Sequence, residues 1–234
     1  MEYNDGKGHE WRGIVGMRGD GMRVVAFSGS PRKSGNTATL LGKALEGAES
    51  AGAEAELFHL YEYAYKGCVS CLACKRADTK HPGRCAVRDE LTPLLERALA
   101  ADVLLVGTPV YLGTETAATR AFTERLIYPC HTYAVTPITA SPRSFKTGIL
   151  YTMGKADTDH RVLGYDKLIE RFHYYYDRAF GHCEVFVHDK ARLFGDHAKY
   201  FCPRIDAKAQ AAHYEKTFPL ECERAFAFGK ALAE

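Results

Sequence analysis

At 234 residues, 46% hydrophobic and 26% charged, the chain has the length and composition of one α/β domain whose core needs no disulfide staples. Its net charge of +2, from 31 basic and 29 acidic residues without a long run of either sign, excludes a charge-driven hold on nucleic acid or a membrane surface. No apolar stretch reaches the ~18 residues of a membrane helix, and the N-terminal MEYNDGKGHEWRGIVGMRGDGM has neither the basic start nor the apolar run of a signal peptide.

The expected location is therefore the cytoplasm, where thiols stay reduced and clustered cysteines point to metal or redox chemistry before structural disulfides. Residues 1–22, rich in Gly and charge, read as a flexible leader, and residues 23–234 as a single domain.

From Arg23 the pattern becomes regular. RVVAFSG is a short β-branched run ending in Gly, the first strand. Leu40, Leu41, Ala44, Leu45 and Ala48 recur at helical spacing up to Gly52, in a helix that begins at about Gly35. EAELFHL alternates as a second strand, and a loop holding Cys68, Cys71, Cys74 and Cys85 follows. Leu91, Leu94, Leu95, Ala98 and Leu99 stripe the next helix. DVLLVGTP reads as a strand buried on both faces.

Thr114 is the expected cap of a third helix running to about Ile127, and FKTGILYT is the fourth strand. Leu168, Ile169, Phe172, Tyr176 and Ala179 stripe a fourth helix that stops at Gly181. CEVFVHD is the fifth strand. An irregular stretch from Lys190 to Arg204 leads into a last helical region, expected to bend or break at Pro219. Strands alternating with helices imply a parallel sheet covered on both faces, and five strands suit the flavodoxin-like order 2-1-3-4-5.

Ligands of such sheets sit beyond the carboxyl ends of the strands. The loop there is SGSPRKSGNTATLL. Ser28, Ser30, Ser34, Asn36 and Thr37 supply short polar side chains, Gly29 and Gly35 permit tight turns, and Arg32 and Lys33 add positive charge. With a helix N-terminus behind it, this loop suits a phosphate monoester. GxxxxGK[ST] and GxGxxG are both absent, and none of the eight cysteines has an Arg six positions on, as a flavodoxin-like phosphatase requires.

GSPRKSGNT, followed by GTPVYLGTETAATRAFTERL, GCVSCLACK, GRCAVRDEL, TGILYTMG and AFAFGKAL, resembles the flavodoxin-like NAD(P)H-dependent FMN reductases and iron–sulfur flavoproteins over most of the chain from about Met22. The resemblance implies a three-layer flavodoxin-like fold and FMN, its phosphate held by the first loop. It implies that Pro109, Val110, Tyr111, Leu112 and Gly113 edge the flavin ring, with Thr152, Met153 and Gly154 as the third segment. It also implies NAD(P)H as hydride donor, a small-molecule or protein electron acceptor, and a homodimer or homotetramer, to which Tyr61, Tyr63 and Tyr65 are candidate contacts. Pro109 would stiffen its turn and Gly113 would let backbone approach a flat ring. Arg120 and Arg125 are expected to be solvated.

Cys68, Cys71 and Cys74 recur every third residue, a spacing that lets one loop wrap thiolates round a [4Fe-4S] cluster with Cys85 as fourth ligand. The ten residues between Cys74 and Cys85 exceed the gap of the iron–sulfur flavoproteins, so the expectation adopted is four reduced thiols shaping a loop, with the cluster as the alternative. Zinc suits three cysteines within seven residues poorly, since Cys₄ sites pair two separated CxxC knuckles. Cys130, Cys183, Cys202 and Cys222 read as structural.

Overall fold

The computed structural model describes residues 3–4, 10–11, 21–154, 163–189, 191–196, 199–203 and 206–234. The expected leader falls outside these residues, save 21–22 and an antiparallel pairing of Tyr3–Asn4 with Glu10–Trp11.

Five strands form one parallel path: β1 (Arg23–Ser28), β2 (Glu54–His59), β3 (Val103–Tyr111), β4 (Phe145–Thr152) and β5 (Gly181–His188), in the order 2-1-3-4-5. The order is the expected one, but the sheet is not purely parallel. A sixth strand of two residues, Thr114–Glu115, folds back antiparallel onto Val110 and Tyr111. Thr114 therefore lies in that strand, and Thr116 is the cap of the helix behind it, its side chain accepting from the Thr119 N–H.

The helices are α1 (Asn36–Ser50), α2 (Leu91–Ala100), α3 (Ala117–Cys130), α4 (Tyr165–Phe180) and α5 (Ala207–Ala233). Strand residues alternate between two apolar layers, as a sheet covered on both sides requires. Val24, Ala26, Val103, Leu105, Leu150 and Phe186 meet α1 and α5. Val25, Phe27, Leu104, Val106, Ile149 and Tyr151 meet α2, α3 and α4. The helix α5 runs unbroken through Pro219. Pro219 is exposed, so the carbonyl it leaves without an amide faces water. Among the described residues no helix is long and apolar enough to cross a membrane.

Candidate functional site

Three loops meet at the carboxyl edge of β1, β3 and β4. The first joins β1 to α1. Ser28 and Ser30 are buried, and Ser30 Oγ accepts from the Arg32 N–H at 3.1 Å, which fixes the turn. The Gly29 N–H donates to Gly107 O at 2.7 Å, and a Cβ on Gly29 would lie 1.7 Å from Thr119 Oγ1. Only glycine lets this loop lie flat on α3.

Helix α1 begins behind Gly35, which supplies no side-chain cap, so the first-turn N–H groups keep their capacity for an anion. Thr37 Oγ1 sits 2.7 Å from Thr152 Oγ1 and ties α1 to the end of β4. Ser34 is exposed on the loop. The expected phosphate donors Arg32, Lys33 and Asn36 are engaged elsewhere. Arg32 Nη1 donates to Leu193 O at 2.8 Å, Lys33 pairs with Glu62, and Asn36 donates to Arg192 O at 3.0 Å while accepting from Tyr214 OH at 2.7 Å. Arg32 and Asn36 thereby hold the segment after β5 against this edge, and Lys33 ties the loop to the turn after β2.

The second loop is the hairpin Val110–Glu115. Pro109 is buried, Val110 half-buried, and Tyr111 and Leu112 reach solvent. Leu112 and Gly113, at φ 51° and 82°, form a two-residue turn with both residues left-handed, the geometry that matches strand twist in a tight hairpin. Gly113 adopts this freely; Leu112 does so at a cost of about 1 kcal/mol, which leaves its side chain fully exposed at the tip.

Three buried threonines anchor the hairpin. Thr116 Oγ1 donates to Gly29 O at 2.8 Å and lies 2.9 Å from Thr119 Oγ1, which in turn donates to Thr108 Oγ1 at 3.1 Å. Thr108, Thr116 and Thr119 thus lock the first loop to the second. Sequence reasoning passed over them, although GTPVYLGTETAATR carries an unusual density of threonine around the turn.

The third loop leaves β4. Met153 is buried, its N–H donating to His188 O at 3.0 Å and its carbonyl accepting from the Ala191 N–H at 2.9 Å; Gly154 is exposed beside it. The rest of TMGKAD lies outside the described residues.

A second site stands apart along α3. Cys68, Cys71, Cys74 and Cys85 all line one shallow cleft with Val69, Leu72, Val87, Arg125 and Tyr128. The ten-residue gap folds back and delivers Cys85 to its three neighbours. Burial raises the Cys74 thiol above its ordinary value, with Lys75 working against it and Cys85 and Cys68 adding to it.

Among the described residues no three Cys, His, Asp or Glu side chains converge tightly enough for a single metal ion. An iron–sulfur cluster takes one thiolate on each of four metal atoms, and four thiols lining one cleft are the donor set such a group would need.

Arg125, expected to be solvated, is 1% exposed. It donates to Asp89, to Val87 O at 3.0 Å and to Lys66 O at 3.3 Å, and so clamps the two ends of the cysteine loop together. Lys75 reaches the carbonyls of Tyr128, Pro129 and His131 and caps the end of α3. Arg120 is half exposed, as expected. Of the three tyrosines expected at an interface, Tyr61 is exposed, while Tyr63 and Tyr65 pack on the core and Tyr65 OH donates to Ala118 O at 2.9 Å. From the Thr116 cap to Glu124–Tyr128 is eight to twelve residues, roughly 12–18 Å of helix.

Residues 22–149 match the model of the NADPH-dependent FMN reductase family. An iron–sulfur flavoprotein of Archaeoglobus fulgidus is 36% identical over 104 residues, 44% of this chain and 48% of that protein. One from Methanosarcina thermophila is 32% identical over 106 residues, 45% of this chain and 53% of that protein. The chain spans about half the length of the curated relatives it matches. Among solved structures, an NAD(P)H:quinone oxidoreductase from Methanothermobacter marburgensis superposes with a TM-score of 0.65 at 19% identity, over 92% of this chain and 98% of that one. An FMN-dependent NADH-azoreductase from Bacillus anthracis, solved in complex with FMN, superposes with a TM-score of 0.61 at 9% identity, over 91% and 100% of the two chains. At those identities the likeness is one of fold. The family match spans more than half of the chain, and with it the protein belongs to the NADPH-dependent FMN reductase family.

Proposed function

We propose that residues 23–234 form one FMN-binding unit that takes a hydride from NAD(P)H and passes electrons to a quinone, nitro-aromatic, flavin or protein acceptor. The observation that carries this reading is the meeting of the uncapped α1 N-terminus with the left-handed hairpin turn at one sheet edge. FMN, when bound, supplies the hydride and electron chemistry. The protein supplies position. The first-turn N–H groups of α1 and the hydroxyls of Ser30 and Ser34 hold the terminal phosphate. Arg32 and Lys33, on the exposed side of the loop, neutralise it by turning from Leu193 O and Glu62. Pro109–Gly113 and Thr152–Gly154 flank the ring, with backbone N–H groups aimed at its polar edge. Buried Thr108, Thr116 and Thr119 keep these segments in register, so that little has to reorganise on binding.

The test is selective reconstitution. FMN should bind tightly and FAD should not, and the double variant Ser30→Ala/Arg32→Ala should lose about 2–4 kcal/mol of FMN affinity with riboflavin affected far less. Equal weakening of both ligands would show that the loop does not hold a phosphate. NADPH oxidation with an added quinone should follow FMN content.

A second reading, a non-enzymatic electron carrier with an iron–sulfur cluster on Cys68, Cys71, Cys74 and Cys85, is favoured by the gathering of the four thiols at one cleft and by the name iron–sulfur flavoprotein borne by the relatives. It predicts about four irons per chain under anaerobic purification, lost in Cys71→Ser. It also predicts reduction by a protein donor and not by NADPH. Unliganded thiols predict retained FMN, little iron and small effects of Cys71→Ser.

A further inference from the structure

Between the hairpin and the cysteine loop runs a chain of polar contacts along the outer face of α3. Glu115 pairs with Val110 in the hairpin and is buried, 3% exposed. Its carboxylate accepts from Thr114 Oγ1 at 2.5 Å and from Arg120 Nη1 at 3.3 Å. The other arm of the same guanidinium, Arg120 Nε, donates to Glu124 Oε1 at 3.0 Å. Glu124 Oε2 then accepts the backbone N–H of Cys68 at 3.1 Å. At that end the backbone is pressed close, since a Cβ on Gly67 would lie 2.7 Å from Glu124 Oε2.

The Arg120 side chain is 56% exposed and would be of little consequence as a lone surface ion pair. Its setting differs from that of a lone pair. One arm compensates a buried carboxylate, as its one ion-pair partner among the described residues, and the other holds the acceptor for the first residue of the cysteine motif. The planar fork of Arg spans both carboxylates at once, which a lysine does not.

We propose that Arg120 and Glu124 are positioning residues that couple the flavin site to the cysteine loop. Fixing the hairpin against a bound ring fixes Glu115, hence Arg120 and Glu124, and so the arrangement of Cys68 and its neighbours. The coupling is reciprocal: occupation of the cysteine cleft favours the flavin-ready hairpin by the same factor. This rests on the reading that the hairpin edges the flavin.

The experiment is amide hydrogen exchange across residues 66–74, with and without FMN, in the wild type and in Arg120→Met and Glu124→Gln. FMN content is read separately by flavin absorbance. In the wild type, FMN should slow exchange at Cys68 at least about fivefold, the lower end of ordinary coupling between sites. In both variants the ratio with and without FMN should fall below about twofold while FMN still binds. A role confined to stability would raise exchange equally in both states and leave that ratio unchanged, which would overturn the proposal. Unchanged exchange in the wild type on binding FMN would overturn it too, and would leave the flavin assignment standing. A wild-type protein that binds no FMN would sink both.

Discussion

A guanidinium out of contact with water is tolerated only when oxygens meet its N–H groups, and Arg125 shows how much of a loop such a demand can organise. Its side chain is completely buried, its partners are Asp89 and two loop carbonyls, and its Nε is buried without an oxygen partner. Replacing it by Met would take the counter-charge from Asp89, which keeps the Leu91 N–H, and a donor from Val87 O and Lys66 O, at about 3 kcal/mol of stability. Lys would restore a point charge but not the fork, and should recover only part of the loss. Urea unfolding measures the cost, and faster alkylation of Cys68 and Cys71 in both variants shows that the clamp holds the loop. Nothing in TERLIYP marks Arg125 as internal, because a helix stripe read from apolar residues assigns every Arg to the solvent. Gly29 was legible as a turn residue, but its true partner, Thr119, lies 90 positions away in the chain. Residue type could be read locally; the contact that makes it indispensable could not.

Helices α1 and α5 lie backbone to backbone. A Cβ on Gly229 would stand 1.8 Å from Ala44 O, and one on Gly47 would stand 2.0 Å from Phe226 O. Ala48, Ala225 and Ala233 complete the small-residue seam that lets α5 seat Leu232 and Phe228 on the sheet. Gly229→Ala must push α5 outward. It is expected to destabilise by about 1–3 kcal/mol, although alanine is the better helix former by roughly 1 kcal/mol. A thermal melt of this variant that matched or exceeded the wild type would refute the close crossing. Most elements were readable to within a residue or two because their apolar periods were clean, as in FKTGILYT and the Leu91–Leu99 stripe. The misplaced cap at Thr114 has a plain cause. A two-residue strand leaves no period, and its pairing with Val110 and Tyr111 depends on Leu112 entering the left-handed region, which its residue type does not advertise.

On the scale of the whole molecule two candidate sites stand apart, one at the carboxyl edge of β1, β3 and β4 and one along the flank of α3. The first could be read as a candidate anion site because a hydroxyl- and Gly-rich loop there leads from a strand into a helix N-terminus. The second was legible only as a spacing of cysteines, since whether Cys85 returns to the others is decided by Arg125 and Lys75. A third feature, silent in the sequence, is the burial of His188 at the end of β5. Its ring lies 5.5 Å from that of Phe218, its Nδ1 is 3.5 Å from Glu221 Oε2, and its Nε2 is buried without a hydrogen-bond partner among the described residues. Burial lowers its pKa below the ordinary 6.5; Glu221 and Asp189 oppose the shift without cancelling it, and Arg224 adds to it. The folded state therefore binds fewer protons at this site than the unfolded chain. Its contribution to stability is complete above about pH 6.5 and is lost as pH falls through the folded pKa. His188→Phe removes the titrating group while keeping an aromatic ring against Phe218, and Arg224 Nη1, at 2.7 Å, remains as the partner of Glu221. Urea midpoints followed from pH 8 down to pH 5 should decline in the wild type from about pH 6.5. In the variant that part of the decline should be smaller. The acidic carboxylates exert their own effect lower on the scale, where Asp102, held by the Arg143 guanidinium and the Arg23 N–H against its burial, becomes protonated below its ordinary 3.8. Parallel pH profiles for the two proteins above pH 5 would show that His188 is protonated as readily in the fold as outside it, and that the α5 face does not exclude charge as its packing requires.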